Sequence, residues 1–447
     1  MMIRPVMTST SRAIGLTRVW SGVLACRILG SAMSLSGLVF ASGLEILHEF
    51  DGLNGREPYG SVAPGPDGWL YGTTVRGGTE GNASMGTLFK CLPDGNGYQV
   101  LRYFEADTNG SSPFNGLAFG QDWIYGTTRA GGEFNRGTIY RIGYSGAGYE
   151  VLHDFRPGTD GRWPTTSPTL VGQTLVGMTL SGGANNEGVV YRLDAESGDY
   201  EVIHSFAVGQ GTKPFGTVTP VGDWLYGMTS DHLSESEHGN IFRLRSDGSD
   251  YEVLHAFEGG ALGGYPYDSL IFDGVSRMYG TTLGYYTDLQ DEGVVFSYDL
   301  DTFTFSVLHD FGAQQGDGAK PNGGVVLSPD GLWVYGVVHG TEIWGGEEQG
   351  TLFRMAPDGS QYEVLHTFSG GMEGDTPMRT PVLEDGVLIG TTAYGGPEQE
   401  ELPRGYGTIW AHPVPEPAPM TLLALAAGCQ LAVRSLTRKP RKTERNK

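Results

Sequence analysis

Six histidines stand at matching places along this chain: His48, His153, His204, His255, His309 and His366. Imidazole ligates metals and moves protons near neutral pH, so a recurring histidine is the first place to look for chemistry. Each lies two residues before a Phe. A metal needs its ligands within about 2–3 Å of one centre, and equivalent positions on successive repeats lie too far apart for that. Arg102 takes the histidine's place in one further copy. The pattern therefore reads as a packed His that hydrogen-bonds backbone.

Five cations, Lys90, Arg141, Arg192, Arg243 and Arg354, recur in the same manner and are expected to pair with carboxylates between repeats. The stretch Ser230-Asp231-His232-Leu233-Ser234-Glu235-Ser236-Glu237-His238 is the irregular polar cluster. Its His232, Glu235, Glu237 and His238 are the ligand-loop candidates. The spacing is not His-Glu-x-x-His and does not read as a helix, so no metal is assigned. Loops at 230–238, 284–292 and 339–349 vary most between copies and are the chosen contact surface. Catalytic residues are assigned to none: there is no Gly-x-Ser-x-Gly, no phosphate-binding glycine loop and no zinc-type Cys/His spacing. Glycoside hydrolysis uses paired carboxylates, and no pair stands out among so many acids.

Charge narrows the partners. The formal net charge is −22, but residues 1–41 carry four Arg and no acid, and residues 418–447 carry seven Lys/Arg and one Glu. Residues 42–417 are thus left with 18 basic and 50 acidic side chains, a net of −32. Such a surface repels nucleic acid and anionic lipid. It calls for no cofactor, although a structural divalent cation such as calcium would suit it. Cys91 is the one cysteine between the two ends, so no internal disulfide forms there.

What must position these residues is a repeat of roughly fifty residues, present seven times from Leu44 to His412. Its tetrads are Tyr71-Gly72-Thr73-Thr74, Tyr125-Gly126-Thr127-Thr128, Val176-Gly177-Met178-Thr179, Tyr226-Gly227-Met228-Thr229, Tyr279-Gly280-Thr281-Thr282, Tyr335-Gly336-Val337-Val338 and Ile389-Gly390-Thr391-Thr392. Each unit divides into four short strands bounded by Gly, Asp, Asn or Ser. In one copy they span Pro113–Phe119, Trp123–Thr128, Gly137–Ile142 and Tyr149–Phe155. The last strand alternates, with Tyr149, Val151, His153 and Phe155 expected on one face. Every copy has a Gly in its second strand, a Gly opening its third, a Phe closing its fourth and a Pro eight to ten residues later. The second-strand Gly is expected where another backbone comes close, near an axis.

Four-stranded units of this length predict an all-β, seven-bladed β-propeller. The domain, residues 42–413, begins with a fourth-type strand, Leu44–Phe50, and ends with a third-type strand, Gly407–His412. The N-terminal strand is therefore expected to complete the last blade. The run from a Gly-rich turn through Gly-Thr-hydrophobic-Phe-Arg to Val-Leu-His-x-Phe resembles the bacterial GloVer tandem repeat. Asp231-His232-Leu233 and Gly284-Tyr285-Tyr286 depart from it. The resemblance implies a surface-anchored repeat protein and transfers no activity.

The ends read as addresses. Four Arg and the apolar stretch Ile28–Phe40 resemble a secretory signal peptide over 1–41, cleaved after Ala41. At the other end, 414–447, Val414-Pro415-Glu416-Pro417 precedes the apolar run Met420–Val433 and a basic tail. That order resembles the PEP-CTERM sorting signal and implies processing by an exosortase, with transient membrane anchoring through the apolar segment. About fourteen residues is short for an independent span, which needs about twenty. Together these features predict an exported protein of the cell envelope or extracellular matrix of a Gram-negative-type bacterium. It is expected to be a non-enzymatic binding or structural module for an extracellular polysaccharide or surface protein. The alternative is a polysaccharide hydrolase or lyase with carboxylates in the central channel.

Overall fold

A computed structural model describes residues 43–78, 84–105, 109–231, 237–285, 291–311, 316–340, 350–397 and 404–414. These form seven four-stranded antiparallel sheets, the blades of a β-propeller. Blades 1 to 6 each take four strands in chain order. Blade 7 takes Pro377–Glu384, Val387–Thr392 and Thr408–Pro413, and receives Glu45–Glu49 as its fourth strand. Glu45 pairs with Ala411 and Glu49 with Thr408, so the expected closure is in place. Two single 3-10 turns, Gly260–Leu262 and Gly371–Glu373, are the helical segments among the described residues.

The core is seven clusters, one per blade interface. Phe50, Ile389 and Ile409 of blade 7 meet Leu70 and Phe89 of blade 1. Leu388 and Trp410 of blade 7 meet Tyr335 and Phe368 of blade 6. No blade can bury its faces alone, so the ring is stabilised by contacts that each unit makes with two neighbours. The closing Phe is buried in every copy, at 0–5% exposure. Its backbone N–H bonds the carbonyl of the Gly opening the third strand, as in Phe50 to Gly407 (3.0 Å).

That same Gly supports the Pro of the next blade. A Cβ on Gly137 would lie 2.7 Å from Pro164 Cδ, and one on Gly407 2.5 Å from Pro58 Cδ. The contact recurs at all seven interfaces, including the one that closes the ring. The second-strand Gly has a different purpose from the expected one. A ring of the third strand of the same blade lies across it: a Cβ on Gly177 would be 2.3 Å from Tyr191 Oη, and one on Gly390 2.3 Å from Trp410 Cζ2. A side chain, not a second backbone, makes the close approach.

The fourth strand also departs from plain alternation. In blade 2, Ile139 pairs with His153 and Tyr140 with Val151, leaving Leu152 as a β-bulge. A bulge inserts one residue and breaks the period of two. Tyr149 accordingly packs toward blade 1, whereas Phe155 and Leu152 pack toward blade 3. The same register break falls on Leu47, Leu101, Ile203, Leu254, Leu308 and Leu365. Each bulge sits one residue before the recurring His or Arg.

The first strand is shorter than expected, being Ala118–Phe119 in blade 2. The residues before it spend their carbonyls on the neighbouring blade instead of a ladder: Thr73 Oγ1 donates to Asn115 O (2.9 Å). Thr391 does the same to Gly60 across the closure (3.4 Å). In blades 4 and 7 the strand reaches eight residues, Pro214–Val221 and Pro377–Glu384, with irregular pairing inside each.

Candidate functional site

The bulge decides what the histidines do. It turns the imidazoles toward the following blade, where five of the six stack on an aromatic ring at that blade's fourth strand, while His366 meets there only the tilted ring of His412. His48 lies on Tyr98 (centroids 3.7 Å, 4°), His153 on Tyr200 (3.8 Å, 6°) and His204 on Tyr251 (4.0 Å, 9°). His255 lies on Phe305 and His309 on Tyr362 in the same way. Arg102 keeps the arrangement as a cation–π pair, 3.4 Å over Tyr149. The other face of the bond network is made by side chains rather than the expected backbone. His153 Nε2 donates to Asp160 (3.0 Å), His309 Nε2 to Asp317 (2.9 Å) and His366 Nε2 to Glu373 (3.2 Å). Asn54 Nδ2 donates to His48 Nε2 (3.2 Å). Burial pulls His48 and His204 down to about 4. For Asp160, burial pushes upward, but the His153 bond and the Arg156 N–H outweigh it and hold the carboxyl below its ordinary range. These histidines are joints between blades.

The four recurring arginines pair with carboxylates within a blade, not between blades. Arg141 meets Glu150, Arg192 meets Glu201, and Arg354 meets Glu363, each at 2.6 Å, and Arg243 meets Glu252 at 2.7 Å. Each pair is a direct cross-strand neighbour of the third and fourth strands, as in Arg141 with Glu150. Three of these guanidinium groups also cover a Trp in or just before the second strand, for example Arg354 over Trp333 at 4.2 Å. Lys90 covers Trp69 at 4.4 Å and reaches the Tyr144 carbonyl of blade 2.

Of the ligand-loop candidates, His232 and Glu235 lie outside the described residues. His238 Nδ1 and Tyr265 Oη share a hydrogen bond (2.8 Å), which ties the loop of blade 4 to blade 5, and Glu237 precedes it. Burial raises the neighbouring Asp231 carboxyl despite the Thr212 hydroxyl bonded to it. No group of three or more potential metal ligands occurs among the described residues. Ala41, Pro415, Glu416 and Pro417 also lie outside them; Val414 is described and bonds Gly386 O (2.9 Å).

The axis holds a site that the sequence reading did not single out. In each copy the Pro is followed by three residues that run along the bore. The first of them, Tyr59, Phe114, Thr165, Phe215, Tyr267, Asn322 and Met378, stand at equivalent places on the seven blades and make up what we call the collar. Tyr59 meets Phe114 edge-on (5.4 Å), Phe215 stacks on Tyr267 (4.0 Å, 21°), and Asn322 Nδ2 touches Met378 Sδ (3.6 Å). Beneath is a cavity of about 250 Å³ to which all seven blades contribute. Ser61, Thr166, Ser167, Thr217, Ser269 and Thr380 give it a hydroxyl-rich wall.

Two charges break the symmetry of this wall. The second residue after the Pro is Gly60, Asn115, Thr166, Gly216 and Gly323 in five blades, but Asp268 in blade 5 and Arg379 in blade 7. Asp268 Oδ2 accepts from Gly324 N (2.9 Å) and Thr380 Oγ1 (3.1 Å), and Oδ1 from Ser269 N (2.7 Å) and Ser269 Oγ (3.1 Å). Arg379 holds φ +57° and sends its guanidinium across the bore to Tyr267 O of blade 5 (2.9 Å), with Phe114 of blade 2 5.8 Å from it. Gly323 and Gly324 make room for this strap: a Cβ on Gly323 would be 2.5 Å from the Arg379 carbonyl carbon. Writing the seven copies in register at the Pro would have exposed both charges.

Comparison with known proteins follows the same outline. The Gloeobacter/Verrucomicrobia repeat matches residues 32–236 and 225–413. No curated protein matches the chain. Among solved structures it is similar to an oligogalacturonate lyase in complex with manganese, with TM-score 0.51 and 12% identity, covering 81% of this chain and 90% of that one. A periplasmic gluconolactonase of Pseudomonas aeruginosa gives TM-score 0.47 at 19% identity, over 78% and 97% of the two chains. TolB of Acinetobacter baumannii gives 0.40 at 14% identity, over 67% of this chain and 63% of that one. At such identities the likeness speaks for the fold alone.

Proposed function

The chain belongs to the Gloeobacter/Verrucomicrobia repeat family, and on that premise we propose that it is an exported, non-enzymatic binding module of the cell envelope or matrix. It engages a glycan, or failing that a surface protein, at the axial collar. The observation that carries this reading is the collar itself. Four of its seven positions are aromatic; Tyr59, Phe114 and Tyr267 are part-exposed and Phe215 is buried behind Tyr267, and the neighbouring cavity is walled by hydroxyls. Aromatic rings offer flat apolar faces with a polar rim, and concave sites with few, convergent polar groups are the usual place for a small ligand. A sugar ring presents the matching combination of apolar faces and hydroxyl edges.

The address rests on the two ends of the sequence. Export follows from cleavage after Ala41, and retention from processing at Val414-Pro415-Glu416-Pro417 by an exosortase. The rival reading places carboxylates in the bore to break a polysaccharide. A glycoside hydrolase needs two of them flanking the scissile bond. The described lining supplies one, Asp268, whose oxygens already accept four bonds.

The test is capture by the purified full chain on a glycan array and on labelled polysaccharides. Phe114→Ala and Tyr267→Ala are expected to lower capture at least tenfold while the protein stays folded. Capture that survives both changes would remove the collar from the function. Turnover of a polysaccharide that stops in Asp268→Asn would replace binding by catalysis.

A further inference from the structure

The strap across the bore has an incomplete set of partners. Arg379 is 6% exposed, yet among the described residues no carboxylate lies within ion-pairing distance of it. Its guanidinium makes one protein hydrogen bond, to the neutral Tyr267 carbonyl, and is flanked by the Phe114 and Tyr267 rings at 5.8 and 5.9 Å. Guanidinium carries five donors, so most of this set is unused. Asp268 is on the same cavity wall, but its acceptor directions are taken by Gly324, Thr380 and Ser269. Buried charges are ordinarily paired and hydrogen-bonded, because taking a charge out of water costs several kcal/mol. The cost is increased by backbone: a non-glycine residue at φ +57° is strained.

A second incompletely bonded group belongs to a residue of the same cavity wall. Thr165 is 2% exposed and its Oγ1 has no hydrogen-bond partner. Both residues line the cavity, one on blade 7 and the other on blade 3. A cation without a carboxylate partner, on a wall that also carries Ser61, Ser167 and Thr217, is matched by a small anion that also carries hydroxyl groups. The volume of about 250 Å³ falls below that of sites built for drug-sized molecules, so it suits one ring rather than an oligomer.

We propose that the axial cavity is a site for a single sugar acid, its carboxylate paired with Arg379 and its hydroxyls received by the Ser and Thr side chains of the cavity wall. This rests on the binding role given to the collar and names the ligand's chemistry. The sugar acid is free or is the end residue of a glycan; the shared chemistry is one carboxylate on a hydroxylated ring. Arg379 then sets specificity, because a charge-assisted pair is stronger than a neutral hydrogen bond and is lost when the ligand lacks the carboxylate.

The test is calorimetric titration of the full chain with glucuronate, glucose, acetate and an oligosaccharide ending in glucuronate. Glucuronate is expected to bind at least tenfold more tightly than glucose or acetate. Arg379→Gly is the informative variant, since blades 1, 4 and 6 carry Gly at this place and glycine relieves the positive φ. It is expected to keep its melting temperature and to lose the preference for glucuronate. Equal affinity for glucose and glucuronate, or a preference that survives Arg379→Gly, overturns the proposal. Glycan capture at the collar alongside such a result would leave the wider binding role intact. Tight binding of free glucuronate with no glycan capture would assign the site to the free acid and defeat the glycan role alone.

Discussion

Phe50 offers a direct test of closure. It belongs to the strand farthest from the rest of blade 7 in sequence, yet it is 0% exposed and sits edge-on to Phe89 of blade 1 at 5.4 Å. Phe155 occupies the same place in blade 2, is 0% exposed and sits edge-on to Tyr191 of blade 3 at 5.7 Å. Truncating a buried Phe to Ala costs about 3–5 kcal/mol through lost transfer energy and the cavity left behind. In a closed ring both truncations fall on equivalent joints, so Phe50→Ala and Phe155→Ala should cost the same within about 1 kcal/mol. With a urea slope near 3 kcal/mol per M, each should lower the unfolding midpoint by roughly 1–2 M. Tryptophan fluorescence reads the transition, with both variants measured beside the parent chain. In an open array the terminal strand would fray first and Phe50→Ala would cost almost nothing. A loss below about 1 kcal/mol at Phe50, together with a full loss at Phe155, would refute the ring. Deleting Leu44–Phe50 should be worse than either, because it also removes the ladder from Glu45 to Glu49.

Gly177→Ala should destabilise by about 1–3 kcal/mol, because the new methyl falls 2.3 Å from the buried Tyr191 hydroxyl; a denaturation curve checks it. Arg102→His should stay within about 1 kcal/mol of the parent, since the imidazole restores on Tyr149 the stack used by other blades. Stability should fall as pH drops from about 6.5 toward 4, measured by thermal melts at pH 7 and pH 4.5. Burial lowers His48, His204 and His339 to about 4, so the unfolded chain takes up protons that the folded one refuses; the stabilisation is full above 6.5 and is lost on the way down. A melting temperature unchanged over this interval would contradict the buried, neutral state of these rings.

The blade count, the strand boundaries near Trp123–Thr128 and the closing strand were legible because hydrophobic period and turn residues repeat in register. The bulge was not. Leu152 looks like any alternating residue, and only its unpaired place between His153 and Val151 shows that the strand changes face there. That single insertion decided whether the histidines faced a ligand or a neighbour. The cations were misplaced for a related reason: cross-strand register, not sequence proximity, set Arg141 beside Glu150. The axial site was hidden because its residues come from every repeat at the position two beyond the Pro, where most copies carry something small. Asp268 and Arg379 lie 111 positions apart in the chain, yet Asp268 bonds the residue that follows Arg379 and Arg379 bonds the residue that precedes Asp268.

Closure by Glu45–Glu49 has a geometric consequence for how the molecule is held. In six blades a tight hairpin joins the third strand to the fourth, as at Pro93-Asp94-Gly95, where Gly95 bonds Leu92 O. In blade 7 that hairpin is replaced by the two exits of the chain, Gly43 before the fourth strand and Val414 after the third. The prolines of the collar follow the opposite ends of the fourth strands. Anything fastened to either exit therefore grips the disc from its rear, and the aromatic rim is presented outward, like the bell of a horn held by its stem.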